Sequence, residues 1–492
     1  MTTRSGAPPP DGHDIGAVEA AEAAVEGVPG ALSLAPSSVM PALGGELVLP
    51  ADRSVAGAAG GDVAADSVRA GLLQAGPLAI AGLVANGANV IVTVLLARLL
   101  TTRGYGELNV LTGLFLIVSM PGSAVIVAVV RRVTGWKGRS AHLVQRWARR
   151  MHRRATLVLV VFAATVLAVG GPLSRLLNQH DVAGVDAILI AGGVWILLCI
   201  DRGLLQAHRS YRTLSVNLLV EGGVRTVAML AFVAAGAGPS GAAAGVLVAE
   251  VVTAIHARVM ADRVWGTEAR AEGRRWVAPE PQDAAARAER RVLVTDLVTA
   301  FVALAMTALL QNIDVIVLGR EAPSMSGSYA AVSVASKALV FGAVVLGGYL
   351  LPEAAIRWRE GGHALRQLAV TFLLLGIPAL VLLVVALAAP HLLLSLVFSS
   401  RYLGAESAFL PLVLAMVCLS VTVILTMYLL AVGRRWITGL LVVGAVAATA
   451  AVAAAHGVPR TTARADLAVQ ATLAVATVVG FVLVHRRRHR TG

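Results

Sequence analysis

The sequence predicts an all-α polytopic membrane protein with twelve transmembrane helices in two pseudo-symmetric six-helix lobes. Three observations predict this fold. The 492 residues are 57% hydrophobic and only 14% charged, whereas about a quarter of the residues in a soluble domain are charged. Apolar runs of about 20 residues recur along the chain, separated by short charged loops. A longer polar connection at 261–292 divides these runs into six and six.

The N-terminal segment, residues 1–68, differs in composition from the rest of the chain. It is rich in Ala, Gly, Pro and Glu, and it shows neither helical nor strand periodicity. We therefore expect a disordered cytoplasmic tail. It holds two arginines and nine acidic residues, a net charge of −7. Since the whole chain carries +13, the remaining residues carry +20. No basic region precedes an apolar core here, so the segment does not resemble a signal peptide.

Twelve predicted spans follow the tail. Their positions are about 76–100, 107–130, 155–175, 185–205, 213–235, 240–260, 293–318, 328–351, 368–389, 406–431, 436–455 and 466–485. Spans one to six form an N-lobe over 69–260, a cytoplasmic linker covers 261–292, spans seven to twelve form a C-lobe over 293–486, and a basic tail follows at 487–492. Because six is even, the two halves would share one orientation and be related by an axis along the membrane normal.

Positive charge is distributed unequally between the two sets of loops. The loops after spans two, four, six, eight and ten, and the C-terminal tail, hold most of the arginines. The other loops hold only Arg103, Arg320, Arg401, Arg460 and Arg464. The positive-inside rule places the first set, and both termini, in the cytoplasm of a multi-pass protein of the cell membrane. The same rule accounts for the net charge, so we predict no nucleic-acid partner.

Polar side chains inside the spans fall on single helical faces. Because polar groups in hydrocarbon need partners or water, these stripes predict a polar interior between the halves, the expected location of a substrate path. The candidate cavity residues are Asn86 and Asn89 in span one, Glu221 and Arg225 in span five, Gln311 and Asp314 in span seven, and Ser333 and Lys337 in span eight.

Several of these residues have a purely structural alternative. Glu221 and Arg225 are four residues apart and can neutralise each other. Asp314 can simply join two helices. Glu250, alone in span six, could be a proton or cation site or a buried partner of Arg225, so Glu250 and Asp314 are the candidates for ion coupling. Lys337 has no acid within one turn of its own helix.

Other kinds of site find little support in the sequence. No metal-ligand motif or nucleotide-binding loop is present, so we expect neither a metal nor a cofactor. The loops predicted to be external are too short to carry the catalytic groups of a membrane-embedded enzyme, so we predict that the protein is not an enzyme. Cys199 and Cys418 lie in separate apolar runs and are expected to pack rather than to form a disulfide.

Five segments, taken in order, carry a family resemblance over about 75–485. They are "LLARLLTTRGYGELNVLTGL", "RGLLQAHRSYRTLSVNLLVEGGVRT", "LLQNIDVIVLGR", "GSYAAVSVASKALVFGAVVLGGYLLPEAA" and "YLLAVGRRW". Together they resemble the polysaccharide (O-antigen-type) flippases of the multidrug/oligosaccharidyl-lipid/polysaccharide exporter superfamily.

This resemblance implies two six-helix lobes that form a V around a central cavity opening to each side in turn. It implies that an undecaprenyl-diphosphate-linked oligosaccharide is flipped from the inner to the outer leaflet for polysaccharide biosynthesis. The partners would be the lipid-linked glycan, the bilayer and glycan polymerase machinery, and we expect a monomer. Family cavities present basic residues to the diphosphate, and Arg225 and Lys337 match that role. The alternative is a multidrug or organic-cation antiporter of the same fold; such cavities favour embedded acids and aromatic residues, and aromatic residues are only 4% here.

Overall fold

The computed structural model describes residues 81–82, 84–85, 87–136, 141–272, 284–359 and 365–491, and all regular secondary structure in these residues is helical. A π-helical segment covers Val233–Ala237 and a 3₁₀ helix covers Ser400–Ala408. The α-helices of the described residues are α1 (Gly87–Leu99), α2 (Thr102–Ser119), α3 (Gly122–Thr134), α4 (Ala141–Leu176), α5 (Val182–Ala207), α6 (Tyr211–Phe232), α7 (Gly238–Ala271), α8 (Ala284–Glu321), α9 (Pro323–Arg359), α10 (Leu365–Ala388), α11 (Pro390–Val397), α12 (Phe409–Ala431), α13 (Trp436–Ala453) and α14 (Pro459–Thr491).

The helices account for the predicted spans. Among the described residues, ten helical stretches are long and apolar enough to cross a membrane. One of them, Tyr211–Ala271, contains both α6 and α7. The helical path bends between these two helices at Gly236 and Gly238, whose φ angles are 87° and 59°, so they are two separate spans. The apolar helix α1 is shorter than the other spans in its described part. Counting α6 and α7 separately and adding α1 gives a set consistent with the twelve predicted spans.

The second span is interrupted near its centre. The helix α2 ends at Ser119, and α3 begins at Gly122 directly after Pro121. Proline has no N–H to donate to the preceding turn, so the hydrogen-bond ladder breaks at this position. One predicted span is therefore two consecutive helices.

Successive spans alternate in direction between two faces of the bundle. We call the face at which α3, α5, α7, α9, α12 and α14 end the basic face, and the other the opposite face. Contacts between residues at the ends of helices fit this alternation. At the opposite face, the Asn178 side chain donates to the carbonyl of Arg320 (3.2 Å). At the basic face, both carboxylate oxygens of Glu272 accept from the backbone N–H of Ala141 at 2.8 Å.

Small residues allow the helices within each half to approach closely. A Cβ at Gly245 of α7 would lie 2.6 Å from the backbone nitrogen of Met229 in α6, which no substitution could accept without movement. At Gly203 of α5 a Cβ would lie 2.8 Å from Val129 of α3. Within a membrane such close packing, rather than hydrophobic burial, holds helices together.

The outer surfaces of α4 and α10 are apolar and exposed. Only 11% of the residues in the most hydrophobic part of α4 are buried, and only 17% of those in the corresponding part of α10. Val158 of α4 and Leu373 of α10 are 68% and 67% exposed. Apolar surface of this extent is compatible with contact to acyl chains, and it fits the membrane assignment.

Some predicted segments differ in extent from the helices. The tail at 1–68 and the side chain of Asn86 lie outside the described residues. Within the predicted linker at 261–292, α7 continues to Ala271 and α8 begins at Ala284, and α14 runs through the basic tail to Thr491. Cys199 and Cys418 are free thiols on different helices.

Candidate functional site

The N-terminal half buries an ionic network formed by α5, α6 and α7. Arg202 of α5 is 0% exposed, and its guanidinium donates to Glu221 Oε2 (2.6 Å) and to Asn217 Oδ1 (2.8 Å) on α6. The guanidinium also lies over the ring of Trp195, 4.9 Å from its centroid. The Asn217 amide in turn donates to the backbone carbonyl of Thr253 on α7 (3.0 Å). These bonds link three helices in the interior of the half.

Arg225 completes this network, which we call the N-half network (Arg202, Glu221, Arg225 and Glu250). Arg225 donates to Glu221 Oε1 at 2.7 Å and to the carboxylate of Glu250 on α7, and it lies over the ring of Phe115 on α2. Two arginines and two glutamates make the network formally neutral. Both structural alternatives predicted for these residues are thus observed: Glu221 pairs with Arg225, and Glu250 is its buried partner.

The C-terminal half buries a second group, the C-half cluster (Asp314, Tyr329, Ser333, Lys337 and Asp466). Asp314 of α8 accepts a hydrogen bond from the Tyr329 hydroxyl of α9 (3.0 Å), and Ser333 Oγ lies 3.5 Å from the same oxygen. Lys337 Nζ lies 3.5 Å from Asp314 Oδ1 and 3.3 Å from Asn312 Oδ1. The acid that faces Lys337 therefore comes from the neighbouring helix, not from its own.

Asp466 of α14 adds a further acid to the C-half cluster. It is 0% exposed and interacts electrostatically with both Asp314 and Lys337. Gln470, one turn further along, donates to Asp466 Oδ1 and to the backbone carbonyl of Leu310, each at 3.1 Å. The other carboxylate oxygen of Asp466 has no hydrogen-bond partner among the described residues. With two acids and one lysine, the cluster holds one more carboxylate than cations, unlike the neutral N-half network.

The two groups differ in how firmly they hold their cations. Arg225 donates to Glu221 at 2.7 Å, an ordinary charge-assisted length, and also to Glu250, whereas both contacts of Lys337, at 3.3 and 3.5 Å, are longer than the 2.7–2.9 Å typical of an ammonium–carboxylate bond. Lys337 is only 5% exposed. A loosely held, buried ammonium can exchange its partner for another anion at a smaller energetic loss than a guanidinium fixed by two carboxylates.

The predicted site residues thus fall into three groups. Glu221, Arg225 and Glu250 meet in the N-half network, and Asp314, Ser333 and Lys337 meet in the C-half cluster. The two remaining described candidates are buried but belong to neither: Asn89 is 6% exposed, and both polar side-chain atoms of Gln311 lack a hydrogen-bond partner among the described residues.

Sequence reasoning missed Arg202 and Asp466 as members of these groups. Arg202 stands with Asp201 inside the apolar stretch "LLCIDRGLL", a pair of charges that a search for embedded ion pairs would have found. Asp466 and Gln470 are four residues apart in "DLAVQ" and therefore share a helical face. Asp201, Arg202 and Asp466 all lie near the ends of predicted spans, where side chains are usually expected to be solvated.

The two halves meet closely at the opposite face through two glycines. A Cβ at Gly106 of α2 would lie 2.6 Å from the backbone nitrogen of Gly327 in α9, and a Cβ at Gly327 would lie 1.9 Å from the carbonyl oxygen of Thr102. Backbone therefore packs directly on backbone here. Further toward the centre, the same helix α2 approaches α8, where a Cβ at Gly113 would lie 3.3 Å from Asn312.

The 3₁₀ helix of the C-terminal half also holds α1 at this face. Arg401 donates to the carbonyls of Ala97 and of Leu100 (3.1 Å for the latter), and the Tyr402 hydroxyl donates to the carbonyl of Ala97 at 2.6 Å. These carbonyls lie at the C-terminal end of α1, where a cation is favoured by the helix dipole. Tyr402 also packs edge-on against Tyr105 of α2, with 5.4 Å between ring centroids. In this conformation the halves are bonded together at the opposite face.

Comparison with known proteins agrees with this architecture. A family model described as polysaccharide biosynthesis protein matches residues 74–353. The comparison with curated proteins found no match.

Solved structures of similar fold are transporters. An inward-facing multidrug resistance MATE family transporter of the MOP superfamily is 15% identical, with a TM-score of 0.57 over 82% of this chain and 98% of that chain. A MATE structure in the straight conformation is 14% identical, with a TM-score of 0.56 over 84% and 94%. A MATE transporter of Vibrio cholerae is 14% identical, with a TM-score of 0.50 over 81% and 92%. At these identities the likeness concerns the fold.

Proposed function

The chain belongs to the family of polysaccharide biosynthesis proteins, and from this premise we propose that it flips a lipid-linked oligosaccharide across the cell membrane by alternating access. The basic face would be cytoplasmic, following the positive-inside rule, and both termini would lie there. The glycan, carried on undecaprenyl diphosphate, would be delivered to polymerase machinery outside. The protein acts as a membrane transporter.

The observation that carries this proposal is the loosely held ammonium of Lys337 in the C-half cluster. A diphosphate bears several negative charges and needs a cation in a medium that excludes water. Lys337 is buried, yet its two contacts are long, so a phosphate oxygen can replace Asn312 as partner. We assign Arg225 a mainly structural role, since Glu221 and Glu250 already hold its guanidinium.

The contacts at the opposite face support alternating access. Arg401 and Tyr402 bond to backbone carbonyls, and α2 meets α9 through Gly106 and Gly327. None of these contacts involves a carboxylate, and Arg401 is exposed, so water can solvate its guanidinium when the halves separate. Such a boundary is suited to opening and closing, whereas the N-half network and C-half cluster lie within single halves and would move as units.

The test is translocation of lipid-linked oligosaccharide in vesicles that contain the purified protein. Wild-type protein should make the glycan accessible to an added glycosidase on the far side, and Lys337→Gln should reduce the rate at least tenfold. Lys337→Arg is the matched control, because it keeps the cation, and it should retain more activity than the Gln variant. Equal rates for wild type and Lys337→Gln would show that Lys337 does not bind the substrate. Equal rates with protein-free vesicles would exclude flipping of this substrate.

A second candidate function is antiport of organic cations or drugs. The extra carboxylate of the C-half cluster favours it, because an uncompensated buried acid suits binding of a cation or a proton. Uptake of a fluorescent cationic drug into the same vesicles under a proton or sodium gradient separates the two. Drug transport without glycan flipping would support the antiporter, and the reverse would support the flippase.

A further inference from the structure

A cavity opens between α4 and α7 near the basic face, away from both buried groups. Its volume is about 510 Å³. Gln145 and Arg149 line it from α4, and Arg263, Gly266 and Arg270 line it from α7. On each helix these residues are spaced three or four apart, so they form two stripes that face each other. The missing side chain at Gly266 leaves room within the cavity.

The lining is positively charged and its cations are free to bind. Arg149, Arg263 and Arg270 are exposed, and among the described residues none of their side chains has a hydrogen bond or an ion pair. The single acid of the lining, Asp262, is already bound to Arg258 through a contact of 2.9 Å. Three convergent guanidinium groups without carboxylate partners favour an anion, and their planar forks match phosphate oxygens.

The cavity continues into the lipid-facing surface. Val259 of α7 lines the cavity, and one and two turns beyond it Ile255 and Val252 are 60% and 40% exposed. On α4, Leu157 and Val160 are 65% and 58% exposed. At 1.5 Å per residue, Val160 stands about 16 Å above Arg149 along the helix. A basic cavity therefore lies at the lower end of an apolar strip, which is the arrangement that an anionic amphiphile requires.

We propose that this cavity binds an anionic phospholipid of the leaflet at the basic face. The headgroup phosphate contacts Arg149, Arg263 and Arg270, and the acyl chains lie along the exposed apolar residues of α4 and α7. Basic pockets between transmembrane helices at the cytoplasmic side are well suited to such headgroups. The bound lipid joins the ends of α4 and α7, beside the contact of Glu272 with Ala141. The inference does not depend on the substrate of the transporter.

The experiment is native mass spectrometry of the full chain in detergent with added phosphatidylglycerol, and with phosphatidylethanolamine as the zwitterionic comparison. We expect the wild type to retain phosphatidylglycerol in preference to phosphatidylethanolamine. The variant with Arg149, Arg263 and Arg270 all changed to Gln should bind phosphatidylglycerol at least tenfold more weakly. Gly266→Leu, which leaves every charge in place, should also weaken binding because its side chain enters the cavity.

The matched control changes Arg146, Arg150 and Arg154 to Gln, three exposed arginines of α4 outside the cavity. Equal loss of binding in this control and in the cavity variant would overturn the proposal, since it would show only general charge attraction. Complete displacement of the lipid by millimolar inorganic phosphate would also overturn it, because the site would then serve a free anion. Thermal melting without added lipid verifies that each variant folds. If the triple cavity variant does not fold, the test rests on Gly266→Leu. Binding of phosphatidylglycerol by this variant as tightly as by the wild type would refute the site.

Discussion

The N-half network makes an ordered prediction about three variants. Arg225→Gln removes the only side chain that hydrogen-bonds to Glu250 among the described residues, whereas Glu221 keeps its 2.6 Å contact with Arg202. An uncompensated buried carboxylate costs about 3–5 kcal/mol of the free energy of unfolding. Glu250→Gln is milder, roughly 1–3 kcal/mol, because Arg225 still pairs with Glu221. The double variant should recover most of the loss of Arg225→Gln, since the network is neutral again.

The assay is thermal melting of the purified variants in detergent, together with their abundance in membranes. The expected order of melting temperature is wild type, then Glu250→Gln and the double variant, then Arg225→Gln. The control is Arg103→Gln, which breaks a similarly spaced pair with Glu107 at a site where the arginine is 48% exposed, and should cost no more than about 1 kcal/mol. The reasoning fails if Arg225→Gln melts like the wild type, or if adding Glu250→Gln to it restores nothing.

Three further predictions concern the boundary between the halves and the C-half cluster. Gly327→Val places side-chain atoms against the carbonyl of Thr102 and should separate α2 from α9. Cysteines introduced nearby should then react faster with a polar thiol reagent added at the opposite face. Unchanged labelling rates would contradict this. Tyr402→Phe removes the bond to the Ala97 carbonyl and the hydroxyl's interaction with Arg401, and should lower stability by about 1 kcal/mol, measured by melting; an unchanged melting temperature would contradict this. Asp466→Asn keeps the oxygen that accepts from Gln470 and removes the extra negative charge of the C-half cluster, so this variant should melt at or above the wild-type temperature. A clearly lower melting temperature would mean that a cation in the structure already balances the charge of Asp466.

The sequence was most informative about single helices. The i,i+4 spacing of Glu221 and Arg225 predicted their contact, because positions on one helix fix relative direction. The same logic grouped Ser333 with Lys337 on α9. It could not find the acid of Lys337, because Asp314 belongs to α8, and the rotation of one helix about its axis relative to another depends on packing.

Residues near the ends of spans were harder to interpret. Arg202 and Asp466 lie close to predicted boundaries, where side chains usually reach water, yet both are 0% exposed. Their burial follows from neighbours: α6 supplies Asn217 and Glu221 to Arg202, and Gln470 bonds Asp466 while also reaching α8. A rule based on hydropathy along one chain segment does not include such neighbours.

The contact between Gly106 and Gly327 supports the predicted two-fold relation between the halves. Gly106 is the fifth residue of α2 and Gly327 the fifth residue of α9, and these helices are the second spans of the two halves. When two bodies are related by a two-fold axis, a residue touches its own equivalent only close to that axis. Both helices begin at the opposite face, so the axis passes between them along the membrane normal. In the proposed alternating access these glycines would separate when the path opens at the opposite face, so a side chain at either position would act on that opening rather than on one half alone.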